Sequence, residues 1–236
     1  MVSGQRILLV AAEPREFDGL LRFCTGVRKV KWAVDWGRSG ECEGRQFWMV
    51  ANGAGAARAG RAVEVAYAEC RPEAIVSMGF CGALDPALKI GDVLVATGVG
   101  GGPADSRLRA QLPALQFAHT GVVASIDHVA QTATEKASLW ASGASVVEME
   151  AAGVAERTAA HGIPFFCVKS VTDLAGQSFV TDFNKALLSS GHFGTIRILA
   201  SALRNPGKAF PELFRLRNSC RMATRTLGEF IAGCRF

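Results

Sequence analysis

No apolar run in this sequence reaches the roughly 18 to 20 residues that a membrane-spanning helix needs. The first apolar run follows Met1-Val2-Ser3-Gly4-Gln5-Arg6 and ends at Glu13, too brief for a secretory signal, so a cytoplasmic location is expected. Seven cysteines occur, but none forms a C-x-x-C pair and their number is odd. That argues against a disulfide framework and against a zinc site. Cys42, Cys70, Cys167 and Cys234 read instead as small hydrophobes or idle thiols. No His/Cys/Asp cluster has metal-ligand spacing, so no metal is expected. There is no internal repeat and no linker long enough to divide domains.

What is present is the balance of a globular α/β domain. Of 236 residues, 49% are hydrophobic and 20% charged. The formal charge is +5, and from Arg197 onward eight Lys or Arg stand against two Glu. A basic surface of this kind suits nucleic acid or anionic lipid. Aromatic interleaving of the nucleic-acid-binding type is absent, so no nucleic-acid partner is expected.

Short apolar runs alternate with helical patterns. Ile7–Ala11, Phe47–Ala51, Ala74–Met78, Val93–Thr97, a run from Gly121 and Pro164–Val168 read as strands. Pro14 suits the first turn of a helix through Leu20, Leu21 and Phe23, and Ala59, Ala62, Val63 and Ala66 make one helical stripe. A helix is expected from about Glu148 to Ala160, stopped by Gly162 and Pro164. Further helices should run from Leu187 to Leu203 and through Phe210, Leu213, Phe214, Ala223, Leu227 and Phe230. Gly100-Gly101-Gly102-Pro103 reads as a flexible loop. The alternation predicts one three-layer α/β/α domain around a central, mostly parallel twisted sheet, with an extended helical C-terminus from about residue 186.

In such sheets ligands bind beyond the carboxyl ends of strands. Asn52-Gly53-Ala54-Gly55-Ala56-Ala57-Arg58 has two glycines of a dinucleotide loop, but Arg58 replaces the third, so a tight strand-to-helix turn is the better reading and no cofactor is expected. Gly79-Phe80-Cys81-Gly82 ends a strand with bare backbone that a ligand can lie against. Glu148-Met149-Glu150 sets a thioether between two acids. A carboxylate accepts from two neighbouring hydroxyls, as a ribose diol requires, and Met covers an apolar sugar face. Those acids equally suit a helix N-terminus, and Asp173 after Thr172 equally suits an N-cap.

Five motifs in order carry a resemblance: Asn52-Gly-Ala-Gly, Gly79-Phe-Cys-Gly-Ala-Leu, Gly91-Asp92-Val93, Val147-Glu-Met-Glu-Ala and Thr172-Asp173. Over residues 6 to about 185 the chain resembles the nucleoside phosphorylase and nucleosidase family of the purine nucleoside phosphorylase fold. In motifs it is most similar to the methylthioadenosine/S-adenosylhomocysteine nucleosidases. The resemblance implies that Glu150 holds the ribose hydroxyls with Met149 packed on the sugar. Asp173, beside Thr172, would protonate N7 of the departing purine, and Phe183 would cover the base. Cys81 and Gly82 would lie near base and sugar, Val129 and Ala130 would frame the purine, and Glu148 would link to the water or the neighbouring site. The base for the attacking water would be Glu16 or Glu13.

The family's phosphorylases carry an Arg and a Ser or Thr around the glycine turn. Here those positions hold Ser77 and Phe80, which favours water over phosphate. Phe80 also departs from the nucleosidases, where a Ser commonly holds the water. Gly98 to Gly121 is short for a nucleosidase, whereas the C-terminal part is long and similar to hopanoid-associated nucleosidases that remove adenine from adenosylhopane. The implied substrate is therefore a 5′-substituted adenosine of methylthioadenosine, S-adenosylhomocysteine or adenosylhopane type. A phosphorylase, a futalosine hydrolase and a non-catalytic nucleoside sensor are the alternatives. A homodimer is implied, and peripheral membrane contact through the basic C-terminus is the remaining partner expectation.

Overall fold

Ile7, Leu9 and Ala11 point to one side of the sheet and Leu8 and Val10 to the other, and all five are buried. This is why the first strand reads as an unbroken apolar run: helices cover both of its faces. The structure is a computed structural model that describes residues 5–100 and 118–236. Most of the expected Gly100–Pro103 loop and most of the short segment between Gly98 and Gly121 lie outside those residues.

The strands are β1 (Arg6–Ala11), β2 (Thr25–Lys29), β3 (Trp36–Cys42), β4 (Arg45–Ala51), β5 (Ala74–Ala83), β6 (Val93–Val99), β7 (Ala118–Ser125), β8 (Val146–Glu148) and β9 (Phe165–Asp173). The helices are α1 (Asp18–Leu21), α2 (Ala56–Cys70), α3 (Ala133–Ala141), α4 (Ala151–His161), α5 (Phe183–Ala186), α6 (Thr195–Ala202) and α7 (Pro206–Gly233), with a 3₁₀ turn at Pro14–Phe17. One core packs Leu227, Phe230 and Ile231 of α7 with Phe17 and Leu20 against β1, β4 and β5. The other packs Ala59, Ala62, Val63 and Ala66 of α2 and Val154 of α4 on the opposite face. The three-layer expectation holds. Cys42, Cys70, Cys167 and Cys234 are buried free thiols, as read. Among the described residues no helix is long and apolar enough to cross a membrane.

The sheet itself is mixed, which corrects the expectation of a mostly parallel one. Its order is β2-β3-β4-β1-β5-β8-β7-β6-β9, and β9 returns to pair with β5. Ladders β1–β4, β1–β5, β5–β9, β6–β7 and β7–β8 are parallel, and β2–β3, β3–β4, β5–β8 and β6–β9 are antiparallel. Five strands thus close into a ring, with β1 to β4 as an open wing. In the antiparallel wing β2 and β3 carry no apolar run, whereas in the ring β6 and β9 do carry one and still pair antiparallel. Every residue of β2 is exposed, and β3 is Trp-Gly-Arg-Ser-Gly-Glu-Cys, so neither stands out by hydrophobicity.

Two helix boundaries also moved. Val146–Glu148 is a short strand and its helix begins only at Ala151, while the Gly162 stop is as expected, in the left-handed conformation. Residues 187–194 form a turn closed by a Leu187–Phe193 bridge, so helix resumes at Thr195 rather than running from Leu187.

The fork in β5 positions the site. Ala74–Ser77 pair with β1, and Gly82 and Ala83 pair with β8 on that same edge. Between them, Met78 to Cys81 leave a notch where the sheet splits. The N-termini of α2 and α4 close over this region at backbone contact: a Cβ on Gly153 would lie 1.9 Å from the Ala56 carbonyl oxygen. Gly153→Ala must push these helices apart, at a cost of about 1–3 kcal/mol. That should appear as a Tm lowered by roughly 2–4 °C for each kcal/mol, measured by thermal unfolding; an unchanged Tm would show that the two helix starts are not held together there.

Candidate active site

A cavity of about 320 Å³ opens at the split in the sheet. Glu16, Phe80, Cys81, Gly82, Val129, Ala130, Glu148, Met149, Glu150, Thr172, Asp173 and Phe183 all line it. These come from six separate stretches of chain, and the fold gathers most of them just after β1, at the ends of β5, β8 and β9, and after β7.

Of the predicted site residues, Glu13 alone is not in the wall. Its carboxylate turns to Arg15 Nε at 2.7 Å. Its backbone N–H instead donates to Glu16 Oε2 at 2.7 Å. Glu16 Oε1 accepts the Phe80 N–H at 2.7 Å, so the carboxylate fills the notch in β5 and satisfies an amide that has no strand neighbour on that side. Burial pushes the Glu16 carboxyl above its ordinary range, while these two N–H groups and the Lys169 ammonium hold it back. Glycine is required at both ends of the turn because two carboxylates lie on it. A Cβ on Gly79, whose φ is 141°, would meet Glu16 Oε1 at 2.5 Å, and one on Gly82 would meet Asp173 Oδ2 at 2.8 Å.

Glu150 sits at the entrance to α4. Its Oε1 accepts the Gly55 N–H at 3.0 Å and its Oε2 the Met149 N–H at 3.3 Å. The Asn52–Gly55 segment is therefore a tight turn, as read, that brings one amide to this carboxylate. Burial, and then the neighbouring Glu148 carboxylate, push Glu150 up to about 8. Glu148 has a different occupation. Lys169 Nζ lies 2.8 Å from its Oε2, and the N–H groups of Glu150 and Ala151 donate to its oxygens at 3.1 and 2.9 Å. It caps α4 and aims Glu150, which leaves its oxygens engaged with protein. Lys169 rises from β9 opposite Gly79 and is fully buried. Burial works against its charge, but the Glu148 carboxylate beside it, with Glu150 behind, outweighs that and keeps the ammonium protonated.

Asp173 ends β9. Its Oδ1 lies 3.0 Å from the Thr172 hydroxyl, which is also 3.2 Å from the Cys81 carbonyl oxygen. Its Oδ2 pairs with the ammonium of Lys136, which donates as well to the Leu174 carbonyl at 2.9 Å. Burial raises the Asp173 carboxyl, against the opposing pull of Lys136 and Thr172. Lys136 escaped the sequence reading. It lies in Ala133-Thr-Glu-Lys-Ala-Ser-Leu-Trp-Ala, which gives no sign that this lysine turns inward and is completely buried. Lys169 was visible as a charge within the apolar run Phe165–Val171, but its partner was not. The Cys81 thiol, pushed far up by burial, is a wall group only.

Aromatic rings make the other wall. Phe183 meets Phe179 edge-on at 5.0 Å between centroids and Phe193 at 6.1 Å. Val129 contributes side-chain surface, since its N–H and C=O are both taken by the Asn184 amide at 2.8 and 3.0 Å. Beyond the rings the wall passes to Ile198 of α6 and to Leu213, Leu216 and Arg217 of α7.

The sequence profile of the Phosphorylase superfamily matches residues 6–192, which includes every element of this site up to Phe183. The chain belongs to that superfamily. It is 28% identical over 197 residues, 70% of this chain and 86% of the relative, to the 5′-methylthioadenosine/S-adenosylhomocysteine nucleosidase of Staphylococcus aureus (strain JH9). Its fold superposes on that of Streptococcus pneumoniae MTA/SAH nucleosidase in complex with 8-aminoadenine with a TM-score of 0.72 at 17% identity, covering 97% of this chain and 100% of the other. Futalosine hydrolase of Helicobacter pylori strain 26695 gives 0.72 at 18% identity, covering 97% and 96%. The family resemblance seen in the motifs is thereby borne out.

A buried acid with a raised pKa weakens the fold as it ionises. In the folded chain Glu150 keeps its proton up to about 8, while unfolded it loses it near 4.5. Stability from this group is therefore full below about 4.5 and is lost as pH rises through about 8. Glu150→Gln should accordingly melt higher than wild type at pH 9, with the gap closing toward pH 5. Parallel melting curves for the two proteins across that range would refute the shift.

Proposed function

We propose that this protein hydrolyses the N-glycosidic bond of a 5′-substituted adenosine and releases adenine. The observation that carries the reading is the placement of three carboxyls, Glu16, Glu150 and Asp173, on separate walls of one cavity, each buried and each held by a different set of donors. Asp173, beside its ammonium partner, gives a proton to N7, so the purine leaves as a neutral base. The C1′–N9 bond breaks with its electron pair going to the purine, and positive charge develops on the sugar. Glu150 accepts hydrogen bonds from the two ribose hydroxyls; these favour its ionised form once substrate is bound, and the negative charge then favours the sugar cation. Glu16 takes a proton from water as the water oxygen bonds to C1′. Each acid–base step is worth on the order of 10²- to 10⁴-fold.

The charge pattern favours water over phosphate. The Phe80 N–H, which would otherwise face an anion, is occupied by the Glu16 carboxylate. Lys169 and Lys136 are each committed to a carboxylate of the protein. A phosphate dianion at the notch would meet the carboxyls of Glu16, Glu148 and Glu150, while Arg217 stands at the far end of the cavity, beyond the aromatic rings. The same completeness of acids speaks against a sensor that has lost turnover.

The cavity extends past the rings toward Ile198, Leu213 and Leu216, so the 5′ substituent is apolar and extended, as in methylthioadenosine, S-adenosylhomocysteine or adenosylhopane. Arg15 and Arg217 also line it. They favour, as a second reading, a 5′ group ending in a carboxylate, which suits futalosine. The family resemblance supports a cytoplasmic homodimer.

Incubation with methylthioadenosine, S-adenosylhomocysteine, futalosine and an adenosylhopane analogue, with and without phosphate, tests the reading. The expected products are free base and free sugar without phosphate; sugar 1-phosphate, or no base released from any of the four, would overturn it. Asp173→Asn and Glu16→Gln should each lower kcat by about 10²- to 10⁴-fold, whereas Glu13→Gln should stay close to wild type. Turnover near wild type in Asp173→Asn would remove it from the mechanism.

A further inference from the structure

The part of the chain that continues past the superfamily match carries an exposed surface that the glycosidase chemistry does not use. Ile196, Leu199 and Leu203 recur at helical spacing on and just after α6 and stand in solvent, Ile196 at 83% and Leu203 at 68% exposed. Phe210 and Phe214, one turn apart on α7, are exposed too, Phe214 at 63%. Interspersed with them in the chain are Arg197, Arg204, Lys208, Arg215, Arg217 and Arg221, all exposed, whereas Lys185 is paired with Asp182 at 2.7 Å. The single acid between 185 and 221 is Glu212. It is buried, where its two oxygens accept the N–H groups of Val180 and Thr181 at 2.6 and 2.9 Å.

We infer that α6 and α7 form a docking surface for an anionic lipid bilayer, with these apolar side chains seated among the headgroups and the cations against lipid phosphates. Exposed leucine, isoleucine and phenylalanine bring an apolar gain only where something covers them, and six cations against no exposed acid between residues 195 and 221 specify what that is. A second copy of this chain fits poorly, because a two-fold contact sets the same patch against itself and opposes like charges. A bilayer rich in anionic headgroups is complementary. The surface also continues into the cavity: Ile198 of α6 and Leu213, Leu216 and Arg217 of α7 line the pocket while their neighbours face outward. A nucleoside with an oily 5′ group then reaches the cavity from the membrane surface. That last step rests on the glycosidase reading, whereas the docking itself does not.

Sedimentation with vesicles tests it. The full chain should partition onto phosphatidylcholine vesicles containing phosphatidylglycerol at least about tenfold better than onto phosphatidylcholine alone, with the advantage falling as salt rises. Each cation near such a surface is worth on the order of fivefold in partitioning. The double charge reversal Arg204→Glu with Lys208→Glu should therefore lose roughly 25-fold or more. Leu203→Ser with Phe214→Ser should lower partitioning on the order of tenfold at high salt, where the apolar part remains. None of these four side chains lines the cavity, so thermal unfolding and base release from soluble methylthioadenosine should match wild type. Equal partitioning onto both vesicle types, or undiminished partitioning of the charge reversal, overturns the proposal. So does a dimer in sedimentation velocity that the Leu203 and Phe214 changes dissociate, since the patch would then be its interface. If no nucleoside is turned over but vesicle binding follows this pattern, the docking surface stands and the glycosidase reading falls.

Discussion

The buried ion pair between Lys169 and Glu148 is the contact on which the rest of the site depends. Three carboxyls, Glu16, Glu148 and Glu150, meet at the end of the split sheet with almost no water around them. Ionised carboxylates in such a place repel one another and lose solvation, so a buried cation is needed among them. Lys169 supplies that cation from the middle of β9, and it is directed to Glu148 rather than shared equally. Glu148 then spends its oxygens on the first amides of α4, which fixes where Glu150 stands. The acid proposed to hold the ribose is thus oriented by one whose own oxygens are engaged with the protein. The pair stores specificity more than stability: removing Lys169 would leave an uncompensated charge where none is tolerated.

The split sheet explains why such a cluster can exist at all. A strand in the middle of a sheet has its amides paired on both sides and offers nothing to a side chain. β5 is paired with β9 along most of its length, but on its other edge β1 ends before β8 begins. The unpaired amide of Phe80 in that interval is what Glu16 accepts. Closing the five-strand ring requires a strand that belongs to both the ring and the wing. The interval where it changes partners is where polar groups become available without being exposed to bulk water.

How much of this was legible in the sequence follows from which residues face two neighbours. β1, β4, β5 and β9 are covered on both faces, so each reads as an apolar run, and the acids that follow them stand out as strand-end groups. β2 and β3 are covered weakly and left no pattern. The three-residue strand β8 was absorbed into the helix after it, because Glu148 looks the same to a reader of sequence whether it opens a helix or caps one. The choice between Glu13 and Glu16 needed the 3₁₀ turn, which puts one carboxylate on Arg15 and the other on Phe80. Lys136 was out of reach: an inward lysine in a helix has no periodicity of its own, and its partner lies 37 residues away in sequence.

That lysine alters how the proposed acid works. A solitary carboxyl in a dry cavity holds its proton tightly enough to be a poor donor once the purine has left, because the anion it becomes is unsolvated. Beside a buried ammonium the anion is met as soon as it forms. Burial raises Asp173 and Lys136 opposes it, and the outcome is a carboxyl still above its ordinary range but with its conjugate base prepared for. The Thr172 hydroxyl does the same at the other oxygen. An acid that must give its proton to N7 and recover one in each cycle needs both states to be affordable, and the Lys136–Asp173–Thr172 arrangement supplies the ionised state with partners while burial supplies the neutral one. The opposite end of the cavity shows the same division of labour: burial raises Glu16 toward the range of a useful base, and two backbone amides keep its carboxylate from being stranded.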